Sequence, residues 1–372
     1  MSEKDVRVIR VGIAGLSADG GWAARSHLPA IAASAGYSLA GVVASSPESG
    51  ARAAERYGIP RSFDFIEDLA GSDDIDLVVV AVRVPHHVEL VSAAIRAGKP
   101  VLCEWPLAPT LAEAKELASA VRSAGTRAWI GLQARSDPSI RYIGELVARG
   151  AIGTVLSTSV VASGMSWGRS TSTRSSYLRE RSNGATMLSI PFAHSIDALQ
   201  QCLGDVVRFS AFEALREEHV TNRDNGSVVI ATAPDQLVVQ GELDDGAVFS
   251  AHYRGGRSAA SNFSWQIEGT EGSLLIEGPT GHLQHGDVTI RGAIDGGAEL
   301  VELPVPERLD LAPGFARDDP AHAVANAYAR LHSDFVAGET TVPGFDDALR
   351  LHGLLSAIHA SAESGRRLTI DR

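Results

Sequence analysis

The run "VRVIRVGIAGLSADG", Val6 to Gly20, decides the fold. Its first half alternates β-branched residues and ends in glycine, which predicts a strand. Its second half is small and glycine-bearing, which predicts a tight turn into a helix. The grammar then repeats. "WAARSHLPAIAAS" reads as a helix that Pro29 must kink or interrupt, "YSLAGVVAS" as a strand, and "SPESGARAAERYG" as a helix with Gly58 past its end. "IDLVVVAVRV" is almost continuous Val and Ile, as in a parallel strand covered on both faces. "HHVELVSAAIRAG", "PVLCE", "TLAEAKELASAVRSAG" and "RAWIGLQ" continue the alternation, and Thr110 with Glu113 forms a capping-box pattern at one helix start. Strand and helix in strict alternation imply a doubly wound parallel sheet.

Beyond about residue 150 the pattern changes. "TVLSTSVVAS", "VVRFSAFEAL", "GSVVIATA", "DQLVVQGEL", "GAVFSAHYRG", "NFSWQIEG" and "GSLLIEG" are strands in near succession, and "LDDGAV" carries the Asp-Gly signal of a hairpin. An open, mostly antiparallel sheet is expected, flanked by helices at about 184–203, 321–336 and 346–364. Residues 163–183, "SGMSWGRSTSTRSSYLRERSN", read as a polar, irregular loop of the kind that carries function. The fold class is therefore α/β plus α+β, with domains over 1–133 and 134–372.

The 372 residues carry a net charge of −12, with no Lys/Arg cluster on one element, so neither nucleic acid nor an anionic membrane is an expected partner. Two cysteines, Cys103 and Cys202, exclude a disulfide framework or a cysteine zinc site. The 12 histidines show no H-E-x-x-H spacing, so no metal is expected. His282 and His285, in a glycine-rich turn, read as solvated. The charged N-terminus lacks a signal-peptide core, and the expected compartment is the cytoplasm.

Gly15-Leu-Ser17-Ala-Asp-Gly20 matches G-x-G-x-x-G with Ser17 at the middle glycine. At the first strand-to-helix turn it suits close approach of a pyrophosphate, with a helix N-terminus aimed at the charge. The second strand ends Val43-Ala44-Ser45-Ser46, without the acid that binds a ribose 2′-hydroxyl. Ser45, Ser46 and Arg52 are candidate donors to a 2′-phosphate, which favours NADP over NAD. The same serines read equally well as the next helix's N-cap.

With "HLPAI", "PHHVEL", "AAIRAGKPVLCEWPLA" and "LQARSDP" in this order, the chain resembles the glucose–fructose oxidoreductase/inositol dehydrogenase (Gfo/Idh/MocA) family. The resemblance implies a Rossmann domain for NAD or NADP, and a second domain whose open sheet supports a substrate pocket and homodimer or homotetramer contacts. It extends the cofactor contacts to Ala18 and Trp22 in the first loop, Pro85 and His87 after the third strand of the alternation, Glu104 and Trp105, and Gln133. Its usual Glu-Lys-Pro stands here as Glu104-Trp105-Pro106, and an indole cannot replace a cation. Of its Asp, His and Asp signature, His194 and Asp197 are present, while Ile190 takes the first acid's place.

Within the family the likeness is closer to the subgroup of the yeast galactose-regulon repressor. "AHSID" (193–197), the run from Pro234-Asp235 to Gln240-Gly241, "RGGRSA" and "EGTEGSLLIEG" resemble its motifs. Two functions follow as expectations. The first is hydride transfer between NAD(P) and a sugar, polyol or related carbonyl, with His194 as acid/base and Asp197 orienting a hydroxyl. Trp105, Arg135, Trp167, Arg169, Tyr177 and Arg179 would then contact substrate. The second is a catalytically silent, dinucleotide-bound regulator acting on a protein partner.

Overall fold

The computed structural model describes residues 7–286 and 288–370, in two compact units. The first comprises the chain up to Ser136 together with Leu311–Arg350; the second comprises Asp137–Asp310 and Leu351–Arg372. Residues 1–6 and 371–372, the ends of the two expected domains, lie outside the described residues.

The first unit is built on a parallel sheet of β1 (Ile9–Ala14), β2 (Tyr37–Val43), β3 (Arg61–Ser62), β4 (Leu77–Val80), β5 (Val101–Glu104) and β6 (Ala128–Gly131). Their order is β3-β2-β1-β4-β5-β6, so the sheet is doubly wound outward from β1. All four residues of β4 are buried, which explains the unbroken Val/Leu run. Ser46 caps the helix Pro47–Tyr57, with Pro47 in its first turn and Gly58 closing it in the left-handed region. The Thr110–Glu113 capping box is present in both directions. The first helical run is interrupted as expected, but at Ser26: Trp22–Arg25 and His27–Ala32 are separate helices.

The helix His322–Ala337 departs from the expectation that it would flank the second sheet. It packs on His27–Ala32 in the first unit, where Val324, Tyr328, Leu331 and Phe335 join Ile9, Val11 and Ile13 of β1 in one core. Its pattern of buried residues was legible, but a helix's own periodicity does not say which sheet it covers. Trp129 of β6 stacks on Phe335 at 6.0 Å, and Asp334, fully buried, ties down the turn that follows. Its carboxylate accepts bonds from the Thr341 amide and hydroxyl and from the Val342 amide at 2.8–3.0 Å.

The second unit carries nine strands in one sheet. They are β7 (Val155–Gly164), β9 (Val206–Ala214), β12 (Gln236–Leu243), β13 (Val248–Gly255), β14 (Phe263–Gly269), β15 (Ser273–Gly278), β16 (Thr289–Ala293), β17 (Val301–Glu302) and β18 (Leu368–Thr369). The order is β17-β16-β15-β14-β7-β13-β12-β9-β18, antiparallel except where β7 runs parallel to β13. The Asp-Gly hairpin joins β12 to β13 as read. Val160, Phe249, Tyr253, Trp265 and Ile276 fill the inner face, against which helices lie, while Val161, Phe212 and Val248 are exposed on the other. The polar segment 163–183 is ordered structure: it contributes β8 (Ser170–Thr171), which pairs with β10 (His219–Asn222) and through it with β11 (Val228–Ile230). Short strands with few apolar residues leave no alternation to read, which is why β8, β10, β16, β17 and β18 escape the sequence.

Asp334→Ala leaves two backbone amides and a hydroxyl without their charged acceptor. Stability should fall by about 2–4 kcal/mol, read as a shifted denaturant midpoint; a loss below about 0.5 kcal/mol would exclude this carboxylate as the tie.

Candidate functional site

The glycine loop leaves β1 through Gly15, whose φ is +101° and whose absent side chain makes room for the backbone of the β4 end: a Cβ there would lie 2.6 Å from the Ala81 carbonyl oxygen. The loop closes on itself, with the Gly20 amide donating to the Ser17 carbonyl and the Asp19 amide to the Ser17 hydroxyl. It therefore offers the close backbone approach that a pyrophosphate needs. The helix that follows is only Trp22–Arg25. A macrodipole needs length, so attraction of an anion rests on the loop amides not already bonded within the fold rather than on a long helix as expected.

At the end of β2 the Ser46 hydroxyl accepts from the Ser49 amide, and Ser45 is exposed. Ser46 is thus the cap of the next helix. Arg52 of that helix pairs with Asp19 of the glycine loop at 3.2 Å. Tyr57, at the same helix's end, donates to the Ser17 carbonyl.

The end of β5 gathers a second cluster. The Trp22 indole donates to Glu104 Oε2 at 2.8 Å, and His27 Nε2 lies 3.1 Å from Oε1. A carboxylate only accepts, so Nε2 donates to Glu104, and Nδ1 lies 2.9 Å from the Tyr328 hydroxyl. Gly131 of β6 is required here, because a Cβ would stand 2.5 Å from Glu104 Oε1. Gln133 is buried beside this cluster, with its side-chain oxygen lacking a hydrogen-bond partner. Trp105 is only 5% exposed, and its peptide to Pro106 is cis. His87 is buried and, with Nδ1 2.7 Å from the Pro106 carbonyl, anchors this turn; Pro85 stands exposed just before it.

In the second unit, His194 opens the helix Ala193–Leu203. The preceding turn, Leu188–Phe192, is π-helical. Pro191 has no N–H to offer, and the Phe192 amide reaches back five residues to the Met187 carbonyl. His194 is 3% exposed, and its Nδ1 has no hydrogen-bond partner. Burial, then the neighbouring His282 and His285, push its pKa down to about 3, so the imidazole is neutral near pH 7. Asp197, also buried, lies near enough to Cys202 for its charge to help raise the thiol's pKa.

The solvated reading of His282 and His285 is corrected. Their rings stack at 5.4 Å, and Trp167 stacks on His282 at 6.2 Å. Burial lowers the His282 pKa to about 3. A glycine-rich turn concealed them, since nothing in its composition shows that the helix bearing His194 packs over it.

The remaining expected contacts are dispersed. Trp167 is buried, its indole donating to the Leu178 carbonyl. Arg179 is buried too, donating to the Ser170 carbonyl, while its Nε has no partner. Tyr177 is half-buried beside it. Arg169 is exposed and pairs with Glu217. Arg135, in the first unit, pairs with Asp347. Among the described residues no group of three His, Cys, Asp or Glu could hold a metal, and no helix is long and apolar enough to cross a membrane.

Gly15→Val should abolish binding of NADH and NADPH in a fluorescence titration, with circular dichroism confirming a folded chain; retained affinity would move the nucleotide elsewhere. A second expectation concerns acid. Burial holds the folded His194 below its unfolded pKa of about 6.5, so the unfolded chain takes up the proton first. Its contribution is complete above about pH 6.5 and is lost as pH falls toward 3. Between pH 7 and 5 stability should drop by about 1–2 kcal/mol from this group alone. His194→Gln should flatten the denaturant-midpoint profile by that amount, and identical slopes would refute it.

A model described as an oxidoreductase family with an NAD-binding Rossmann fold matches residues 9–132, and one for the Gal80p C-terminal domain matches residues 138–278. The galactose/lactose metabolism regulatory protein GAL80 of Saccharomyces cerevisiae is 28% identical over 97% of this chain and 94% of its own. A crystal structure of a super-repressor mutant of that yeast protein superposes with a TM-score of 0.89 at 25% identity, covering 98% of this chain and 99% of its own. Dehydrogenase aclE of Aspergillus oryzae is 31% identical over 73% of this chain and 77% of its own. The 1,5-anhydro-D-fructose reductase of Ensifer adhaerens is 28% identical over 88% and 90%. With the doubly wound sheet, the glycine loop and the His194–Asp197 pair in place, the chain belongs to the Gfo/Idh/MocA oxidoreductase family, in the subgroup that resembles the yeast galactose-regulon repressor.

Proposed function

We propose that the protein is an NAD(P)-dependent oxidoreductase that transfers hydride to or from a sugar, polyol or related carbonyl. The observation that carries this reading is His194: a buried, neutral imidazole whose Nδ1 has no hydrogen-bond partner. A neutral imidazole can accept the proton of a substrate hydroxyl and, in the reverse direction, return it; a bound nicotinamide would supply the acceptor or donor of the hydride. Asp197, three residues on in the same helix, would orient the substrate hydroxyl. Trp105 brings no cation to the developing oxyanion and serves to shape the pocket. Relatives of this chain include a 1,5-anhydro-D-fructose reductase, which supports a carbohydrate-like substrate.

The partner of the open sheet is, in this reading, a second copy of the chain, with the exposed Val161, Phe212 and Val248 beneath it. Both cysteines are free, which fits a reducing cytoplasm.

A second reading, a silent nucleotide-bound regulator acting through a protein partner, is favoured by Trp105 and Ile190 standing where the family has its lysine and acid, and by similarity to GAL80 over 97% of the chain.

Oxidation of NADH and NADPH against a panel of keto-sugars separates the two. As an enzyme, wild type turns over, and His194→Ala loses about 10²- to 10⁴-fold in rate with nucleotide affinity intact. Nucleotide binding without turnover on any panel member gives the regulator; wild-type turnover indifferent to His194→Ala removes the histidine from the chemistry.

A further inference from the structure

The glycine loop and the end of β2 are bridged in two places by the helix Pro47–Tyr57. One bridge is firm: the Tyr57 hydroxyl donates to the Ser17 carbonyl at 3.1 Å. The other is the Arg52–Asp19 ion pair, with side chains 60% and 73% exposed. Pairs this exposed hold their partners weakly, so this one does little for the fold. Its position is what matters. β1 and β2 are adjacent and parallel, so the loop after one and the turn after the other lie side by side. In a doubly wound sheet the ribose of a dinucleotide bound at the glycine loop reaches the end of β2. Arg52 stands there as the cation nearest a 2′-phosphate, and Asp19 already occupies it.

Glu48, exposed in the first turn of the helix, is bonded by the Ser46 hydroxyl, which lowers its pKa and keeps it anionic. Arg56 lies over the Tyr57 ring. The Ser46 hydroxyl is itself engaged with the Ser49 amide. Next to the end of β2, which itself carries no acid, Asp19 thus brings a carboxylate against Arg52.

We propose that Asp19 sets the choice between NAD and NADP. From the glycine loop it supplies the negative charge that β2 lacks, and it holds Arg52 away from a 2′-phosphate. A bound NADP must displace Asp19 from Arg52 and then sit beside the released carboxylate, whereas NAD leaves the pair intact and presents a neutral hydroxyl. The inference rests on the dinucleotide reading above, and it reverses the preference for NADP suggested by Ser45, Ser46 and Arg52.

The test is titration of the full chain with NADH and NADPH, reading the ratio of the two dissociation constants. Wild type is expected to favour NADH. Asp19→Asn, exposed and nearly isosteric, should move the ratio toward NADPH by about three- to fivefold, and Arg52→Ala in the Asp19→Asn background should erase that gain. An unchanged ratio in Asp19→Asn, or a gain that survives Arg52→Ala, overturns the proposal while leaving dinucleotide binding standing. If wild type binds neither nucleotide, the dinucleotide reading falls and takes this proposal with it.

Discussion

Parallel pairing is the constraint on which the first unit depends. Strands that run the same way finish at the same edge of their sheet, so the segments that follow β1, β2, β4, β5 and β6 are neighbours whatever their spacing in sequence. The hydrogen bonds say so directly: the Gly15 amide donates to Val43 at the end of β2, and the Ala81 amide to Ala14 at the end of β1. Gly15 can then press against Ala81, Trp22 can reach Glu104, and Glu104 can lie over Gly131. Each contact joins a different pair of strand ends. The first two depend on β1 lying between β2 and β4.

The sequence carried most of this fold because the residues that make it are periodic or obligatory. Buried Val and Ile runs, Gly58 and the Thr110–Glu113 box each have one local reading, and each holds in the structure. What escaped were choices settled by packing alone. His322–Ala337 is a helix on either reading, but only the core shows that Tyr328 and Phe335 belong with β1. The parallel meeting of β7 and β13 inside an otherwise antiparallel sheet is likewise invisible to alternation, which is the same for both senses.

The site was legible unevenly. Gly15, Trp22, Glu104 and Gln133 were reached through motif and resemblance, and the structure brings the last three around one cluster with His27, which lies in the "HLPAI" motif but was given no role, and Tyr328, which no motif marked. Arg52 was noticed as a donor, but its partner Asp19 depends on the loop's course, whereas Ser46 caps its helix through the Ser49 amide, one of the two readings the sequence offered. Trp167 and Arg179 looked like open contacts because they sit in a polar run; both are turned inward to carbonyls. His282 and His285 show the opposite error, polar residues in a flexible-looking turn that a helix covers. In each case local composition set the expectation, and a partner distant in sequence decided the outcome.

The place of β7 in the large sheet also bears on how the chain comes together. On one side of it β14, β15 and β16 are joined by successive turns, and on the other β12 and β13 form a hairpin against β9. These two meanders can assemble from nearby residues. β7 precedes them all in the chain, yet it lies between them, pairing Ser157 with Val248 and with Glu268. Its contacts close far longer loops than the turns within either meander, so they carry a larger entropic delay. On the ribosome β7 emerges early and has no partner until two later groups of strands exist. Until it inserts, β13 and β14 each present a bare edge of unpaired amides and carbonyls, the form of strand most prone to pair with another chain. The strand that completes the sheet is thus also the one that keeps its halves from being taken up by neighbours during synthesis.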